Sequence, residues 1–122
     1  MEESTINEWR TPVLHDAIRA AVFSSQLGDF ASAIRTMKKM LERGADANAL
    51  DSYGNTCLMR AIQDAKQRIQ GAGADVRAKL LVEIGEVFAA LIKAGADVHM
   101  QRPQRGSAAE QTRGTILEQF IA

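Results

Sequence analysis

Apolar side chains return at intervals of three and four along nearly the whole chain, the period of a helix with one buried face, and strand-like alternation is almost absent. The first run holds Leu14, Ala17, Ile18, Ala21 and Val22. Thr11 is its expected N-cap, and Pro12 suits the first helical position, where a missing N–H costs nothing. Residues 24–28 break the pattern. Asp29 can cap again, and Phe30, Ile34, Met37, Met40 and Leu41 predict a second helix that stops at Gly44. Residues 45–55 are polar and rich in turn formers, which reads as an extended loop. Thr56 then caps a third helix with Leu58, Ala61, Ile62, Ala65 and Ile69 on its apolar side, running out at 71–74. Asp75 is expected to cap a fourth, whose stripe of Leu80, Leu81, Ile84, Val87, Phe88, Leu91 and Ile92 is the densest in the chain and anchors the core up to Gly95. A second long loop covers 96–114, with one helical turn where Ser107 and Glu110 have capping-box spacing. Thr115 and Glu118 repeat that spacing before a short last helix over 116–121, with Leu117, Phe120 and Ile121 apolar.

The chain also repeats itself. Leu41-Glu-Arg-Gly-Ala-Asp-Ala-Asn returns as Ile92-Lys-Ala-Gly-Ala-Asp-Val-His, 51 positions later and again at the end of an apolar helix. Leu14-His-Asp-Ala-Ile returns as Leu58-Met-Arg-Ala-Ile and, less closely, as Leu117-Glu-Gln-Phe-Ile, each opening a helix. The unit is therefore helix, helix, loop. With these residues the chain resembles the ankyrin-repeat proteins, whose units open with Thr-Pro-Leu-His-x-Ala and close on a Gly-Ala-Asp-type helix end. The segment Asp51-Ser-Tyr-Gly-Asn-Thr-Cys-Leu-Met-Arg-Ala is the nearest match, with Cys57 where the family has proline and Met59 where it has histidine.

The resemblance implies an all-α, ankyrin-like stack in a single domain over 1–122, with two full helix pairs and a C-terminal half repeat. Its parts are an N-terminal extension at 1–10, repeat 1 at 11–55, repeat 2 at 56–114 and the half repeat at 115–122. The family unit is about 33 residues, so the 51-residue spacing implies longer helices or inserted turns around Gln67 to Asp75 in repeat 2. An end repeat normally turns a polar face outward. Here the last helix offers three large apolar residues, which either face inward or form an end through which two copies pair.

Composition narrows the function. The length, 122 residues, suits one domain, and 46% hydrophobic with 25% charged residues is a folding mix. Fifteen Lys and Arg balance fifteen Asp and Glu, so no whole-molecule field draws the protein onto nucleic acid or anionic lipid. The single cysteine, Cys57, excludes an intrachain disulfide and a multi-cysteine metal knuckle, and fits a reducing, cytoplasmic compartment. The start of the chain is acidic without an apolar run, unlike a signal peptide, and no segment reaches the ~18 apolar residues of a membrane span.

Candidate chemistry is sparse. His15 and His99 are far apart and lack the ligand spacing of a metal site, so no metal and no cofactor are expected. The resemblance implies that His15 hydrogen-bonds backbone. Cys57 reads as a small buried residue, since a nucleophile would need a nearby base and a favoured thiolate. Gly71-Ala-Gly-Ala reads as a helix connector, because no strand precedes it and no Gly-Lys-Ser/Thr follows. Met37 and Met40 read as core, Met100 as an exposed loop residue, and Trp9 as a lid on the first helix. Lys38, Lys39 and Arg43 complement the dipole at the end of the second helix.

No catalysis is expected. The resemblance implies instead a surface that binds another protein through loop tips and a concave helix face. The contact role falls on Leu50, Asp51, Ser52 and Tyr53 in the first loop and on Met100, Arg102 and Arg105 in the second, with Arg60, Gln63 and Asp64 extending the face. Tyr53 and Arg102 are of the types that dominate interface energy. An inhibitor or immunity protein that blocks a toxin or enzyme is one use of such a surface. A nucleic-acid-binding regulator acting through the arginine loop is the rival reading, disfavoured by the absence of stacking partners in that loop.

Overall fold

The computed structural model describes residues 12–121. It holds six helices: α1 (Val13–Ser24), α2 (Phe30–Glu42), α3 (Cys57–Gln70), α4 (Ala74–Lys93), α5 (Ala108–Thr112) and α6 (Glu118–Ile121). Among the described residues there is no strand; an isolated antiparallel bridge joins Arg102 and Gly106. The fold class is all-α, as the three- and four-residue periodicity predicts. Trp9 and Thr11 lie outside the described residues.

The helices form two rows. Each inner helix packs on the next, α1 on α3 and α3 on α5, while α2, α4 and α6 stand behind them, with α4 touching both outer neighbours. One continuous core runs through the stack, from Ile18 and Val22 of α1 through Met37, Leu58 and Ile62 to Phe88, Leu117 and Ile121. Leu80, Ile84, Val87, Phe88 and Leu91 of α4 are buried as expected. Leu81 is half-buried and Ile92 exposed, because they sit at the borders of that stripe.

Both helix pairs end by the same device. At Gly44 the φ is +95°, Gly44 N–H donates to Leu41 and Ala45 N–H to Met40. At Gly95 the φ is +103°, with Gly95 donating to Ile92 and Ala96 to Leu91. This is the paired 5→2 and 6→1 closure of a helix end, which requires a left-handed residue and so selects glycine.

Several helix starts differ from the sequence reading. Pro12 is the N-cap of α1, not its first helical residue, with an extended ψ of 135°. Asp29 precedes α2 without a side-chain cap bond. Gly73, not Asp75, is the N-cap of α4, and Asp75 falls in the first turn, where its charge still meets the helix dipole. Thr56 and Ser107 do cap, accepting the N–H groups of Met59 at 3.2 Å and Glu110 at 3.1 Å.

The expected insertion in the second unit appears as helix. α3 has 14 residues against 12 in α1, and α4 has 20 against 13 in α2. Side chains of α3 and α4 clasp the connection between α1 and α2. Glu83 Oε1 accepts from Ser25 Oγ (2.8 Å), Gln26 N–H (2.9 Å) and Gln26 Nε2 (2.7 Å), while Arg68 donates to the Ser25 carbonyl.

The C-terminal end is closed by apolar packing. Leu117 and Ile121 are buried, and the half-buried Phe120 stacks on Phe88 with ring centroids 5.7 Å apart. Gly85 permits this approach, since a Cβ there would stand 2.8 Å from the Phe120 ring. The last helix is shorter than expected, 118–121, and Ile116 is left 45% exposed.

Two outcomes check this packing. Leu58→Ala, at a fully enclosed position, should lower the unfolding free energy by about 2–5 kcal/mol in urea titration. Deleting residues 115–122 uncovers Phe88 and its neighbours, so the truncated chain should melt earlier and self-associate by size-exclusion chromatography.

Candidate functional site

The two long loops are copies of one another in their backbone bonding. After each glycine an aspartate makes a tight turn: Asp46 Oδ1 accepts from Asn48 N–H and Asp97 Oδ1 from His99 N–H, both at 2.9 Å. Each loop then folds into a five-residue hairpin. Asp51 N–H donates to Asn55 (3.0 Å) and Gly54 N–H back to Asp51; 51 positions on, Arg102 N–H donates to Gly106 (2.8 Å) and Arg105 N–H back to Arg102. The capping residues Thr56 and Ser107 follow at the same offset, so α5 is the counterpart of α3. The pattern of hairpin and capping residue thus recurs at Ser107, ahead of Thr115, where the half repeat is expected to begin. Its signal in sequence was faint, because the hairpins share no side chains and α5 lacks the Leu58 to Ile62 pattern.

Side chains bind the two copies into one edge. Asn48 donates Nδ2 to the Gly95 carbonyl (3.0 Å) and accepts from Asp97 N–H (2.7 Å). Arg102 Nε donates to the Gly54 carbonyl (3.1 Å), and Arg105 donates Nε and Nη2 to the Tyr53 carbonyl (3.2 and 2.8 Å). The expected contact arginines are thus also braces. On the edge they hold, Tyr53 is 74% exposed, with Ser52 and Leu50 exposed beside it.

Asp51 is buried, contrary to its expected place on the contact surface. Its Oδ1 accepts the N–H groups of Tyr53 and Asn55 at 2.9 Å, and its Oδ2 accepts from Asn55 Nδ2 (3.0 Å) and Arg60 Nη2 (2.7 Å). Burial pushes this carboxyl up, but Asn55, Tyr53 and Arg60 outweigh it and hold the group below the usual aspartate range. Arg60 is spent on that pair, and half-buried Gln63 donates to Asn55 Oδ1 (3.1 Å). Both serve the hairpin first. Met100, expected to be exposed, is half-buried.

His15 and Cys57 meet behind the hairpin. His15 Nε2 donates to the Ala49 carbonyl at 2.8 Å, and the Cys57 thiol lies 3.7 Å from the same oxygen. A carbonyl only accepts, so Nε2 carries a proton; Nδ1 has no hydrogen-bond partner and lies 4.0 Å from Asp51 Oδ2. Burial lowers the His15 pKa, partly offset by Ala49 and Asp51. Burial pushes the Cys57 thiol up to about 12, the reverse of an activated nucleophile. These three side chains have the types of a Cys–His–Asp triad, but the thiol is protonated and all three are enclosed.

Asp64 is the second buried carboxylate, 2% exposed, and its Oδ2 has no hydrogen-bond partner. It was expected at the contact face and lies in the interior instead. Burial raises its pKa to about 6, against the pull of Arg60 and Arg19.

Behind the stack an open cleft of about 500 Å³ separates α2 from α4, with Leu41, Ala89 and Ala90 among its lining and Lys38, Lys93, Glu42 and Glu86 around them. It holds no nucleophile or histidine. Among the described residues no three His, Cys, Asp or Glu side chains gather as a metal ion requires, and no helix is long and apolar enough to cross a membrane. Asn48 and the stacked pair Arg19 and Phe23 (5.1 Å) are surface features the sequence reading passed over.

The Asp64 geometry sets a pH dependence. Its folded pKa lies above the ordinary value of 3.8, so the charged form costs stability above pH 6, and that cost fades as the pH falls below the unfolded value. Asp64→Asn should therefore be more stable than the parent by about 2 kcal/mol above neutral pH. The gap should close toward pH 4 in paired melting curves, the opposing effect of His15 cancelling between the two proteins.

Comparison of the chain with known protein families, curated proteins and solved structures finds no match.

Proposed function

We propose that this chain is an ankyrin-like repeat module that binds another protein through the hairpin edge and the adjoining inner-helix face, without catalysis. The observation that carries the reading is the rigid edge itself: two hairpins in register, cross-braced by Asn48, Arg102 and Arg105, with Tyr53 exposed between the braces. A preformed edge loses little freedom on binding, and an exposed aromatic beside arginine is the usual composition of an interface centre. The His15 bond to the Ala49 carbonyl, the paired glycine helix ends and the two-row stack support the ankyrin-like reading. The buried chemistry supports the second half of it, since Cys57, His15 and Asp51 are committed inward. A lone enclosed thiol suits a cytoplasmic protein.

The test is Tyr53→Ala. Its aromatic ring is solvent-exposed, so the variant should melt within about 0.5 kcal/mol of the parent. A partner captured by the parent from its host, identified and purified, should bind the variant roughly 30-fold more weakly, an interface-centre effect of about 2 kcal/mol. Undiminished affinity in both Tyr53→Ala and Leu50→Ala would remove the edge as the binding surface, and turnover of a small molecule by purified protein would remove the reading altogether.

A further inference from the structure

The described residues 12–121 carry fourteen Lys and Arg against twelve Asp and Glu, unevenly spread. Segments 29–46 and 75–97, which hold the outer helices, carry seven Lys and Arg and seven Asp and Glu. Segments 12–28, 47–74 and 98–121, which hold the inner row, both hairpins and the last helix, carry seven cations against five carboxylates. Two of those five, Asp51 and Asp64, are buried; Glu110 is exposed beside Gly106 and keeps its charge, since its partner Gln101 is neutral. Setting aside the Arg60–Asp51 pair and the buried Asp64, six exposed or half-buried cations face three exposed carboxylates in these segments, an excess of positive charge among the described residues.

It is concentrated at the second hairpin. Arg102 and Arg105 are anchored on the Gly54 and Tyr53 carbonyls, which fix their positions but do not neutralise them. Among the described residues neither guanidinium meets a carboxylate at ion-pair distance; Asp51, the nearest acid of the first hairpin, is taken by Arg60. A guanidinium already oriented by one bond and still carrying its full charge is suited to a carboxylate, which it recognises with its remaining planar donors. Tyr53, whose carbonyl anchors Arg105, is 74% exposed on the same edge and adds apolar area.

We propose that the paired hairpin tips, with Arg102 and Arg105 flanking Tyr53, dock an acidic segment of a partner protein, its carboxylates meeting the two guanidiniums and an apolar side chain covering the tyrosine ring. This rests on the protein-binding reading above and adds the chemistry of the partner. The cleft between α2 and α4 supports no such assignment, because its lysines and glutamates alternate. A nucleic acid would also meet the arginines, but its bases would find one aromatic ring, where stacking recognition uses a succession of them.

The full-length, isotope-labelled chain is titrated by NMR with a glutamate-rich peptide containing leucine, with the same peptide carrying glutamine for glutamate, and with a single-stranded oligonucleotide of equal charge. The glutamate peptide should move the amide signals of 51–55 and 102–106 saturably, and the glutamine peptide should not. Ser52→Glu, an exposed change that leaves both arginine anchors in place, should weaken binding at least roughly fivefold, as should Arg105→Gln. The proposal is overturned if the glutamate peptide leaves the hairpin signals unmoved, or if the oligonucleotide binds there more tightly with a steep log-linear salt dependence. A native partner that needs Tyr53 yet presents a neutral or basic surface to it would overturn the acidic assignment alone and leave the protein-binding reading standing.

Discussion

Taking a carboxylate out of water is costly unless its oxygens find donors, and Asp51 is buried at the foot of the first hairpin with four of them converging on it. Two of the donors are backbone N–H groups of its own turn, one is the side chain that closes the turn, and one is a guanidinium from α3. Local and tertiary structure are thereby fixed by one charge. The hairpin cannot change shape without stripping the carboxylate, and Arg60 cannot leave without exposing a buried charge. The second hairpin has arginine at the matching position, and Arg102 cannot organise its own turn in this way. It reaches across to the first instead, so the ordered copy holds the other in place.

This asymmetry suits a short stack. A helix pair of this kind cannot bury its apolar face alone and takes its stability from the neighbouring pair. The first pair packs against the second, and Glu83 and Arg68 of the second grip the far connection of the first. α5 and α6, which follow, are too small to offer a full helix pair. Apolar side chains make good the difference: Leu117 and Ile121 turn inward and Phe120 lies flat on Phe88, an approach available only because position 85 has no side chain.

Helix content, the glycine helix ends and the repeat in the Gly-Ala-Asp loops were legible in sequence because each depends on local rules: periodic burial, left-handed backbone and short-range turn bonds. The recurrence of hairpin and cap at 102–107 was not, since the second hairpin keeps the backbone path of 51–55 with none of its residues, and only Ser107 preserves the chemistry of Thr56. The surface role assigned to Asp51 and Asp64 failed for a different reason. Charge predicts exposure on average, but Asp51 has enough donors to stay ionised inside, and Asp64 remains inside at the expense of a raised pKa. Neither condition depends on sequence neighbours alone, because Arg60 lies nine residues from the first and the second is raised by burial that tertiary packing imposes, against the pull of Arg60 and Arg19.

The same contrast separates reactivity from recognition. The side chains that chemistry would need, Cys57, His15 and Asp51, converge on the interior, where the thiol is held protonated and the imidazole neutral by the loss of water around them. The side chains that recognition would need stand on the opposite side of the same loop, and they are rigid because the interior ones are. Asp51 holds the turn, the turn presents the Tyr53 carbonyl, and that carbonyl anchors Arg105. What looks like an idle catalytic constellation supports the exposed edge: its buried polar bonds hold the turn that presents the Tyr53 carbonyl to Arg105, the geometry on which the proposed protein-binding role depends.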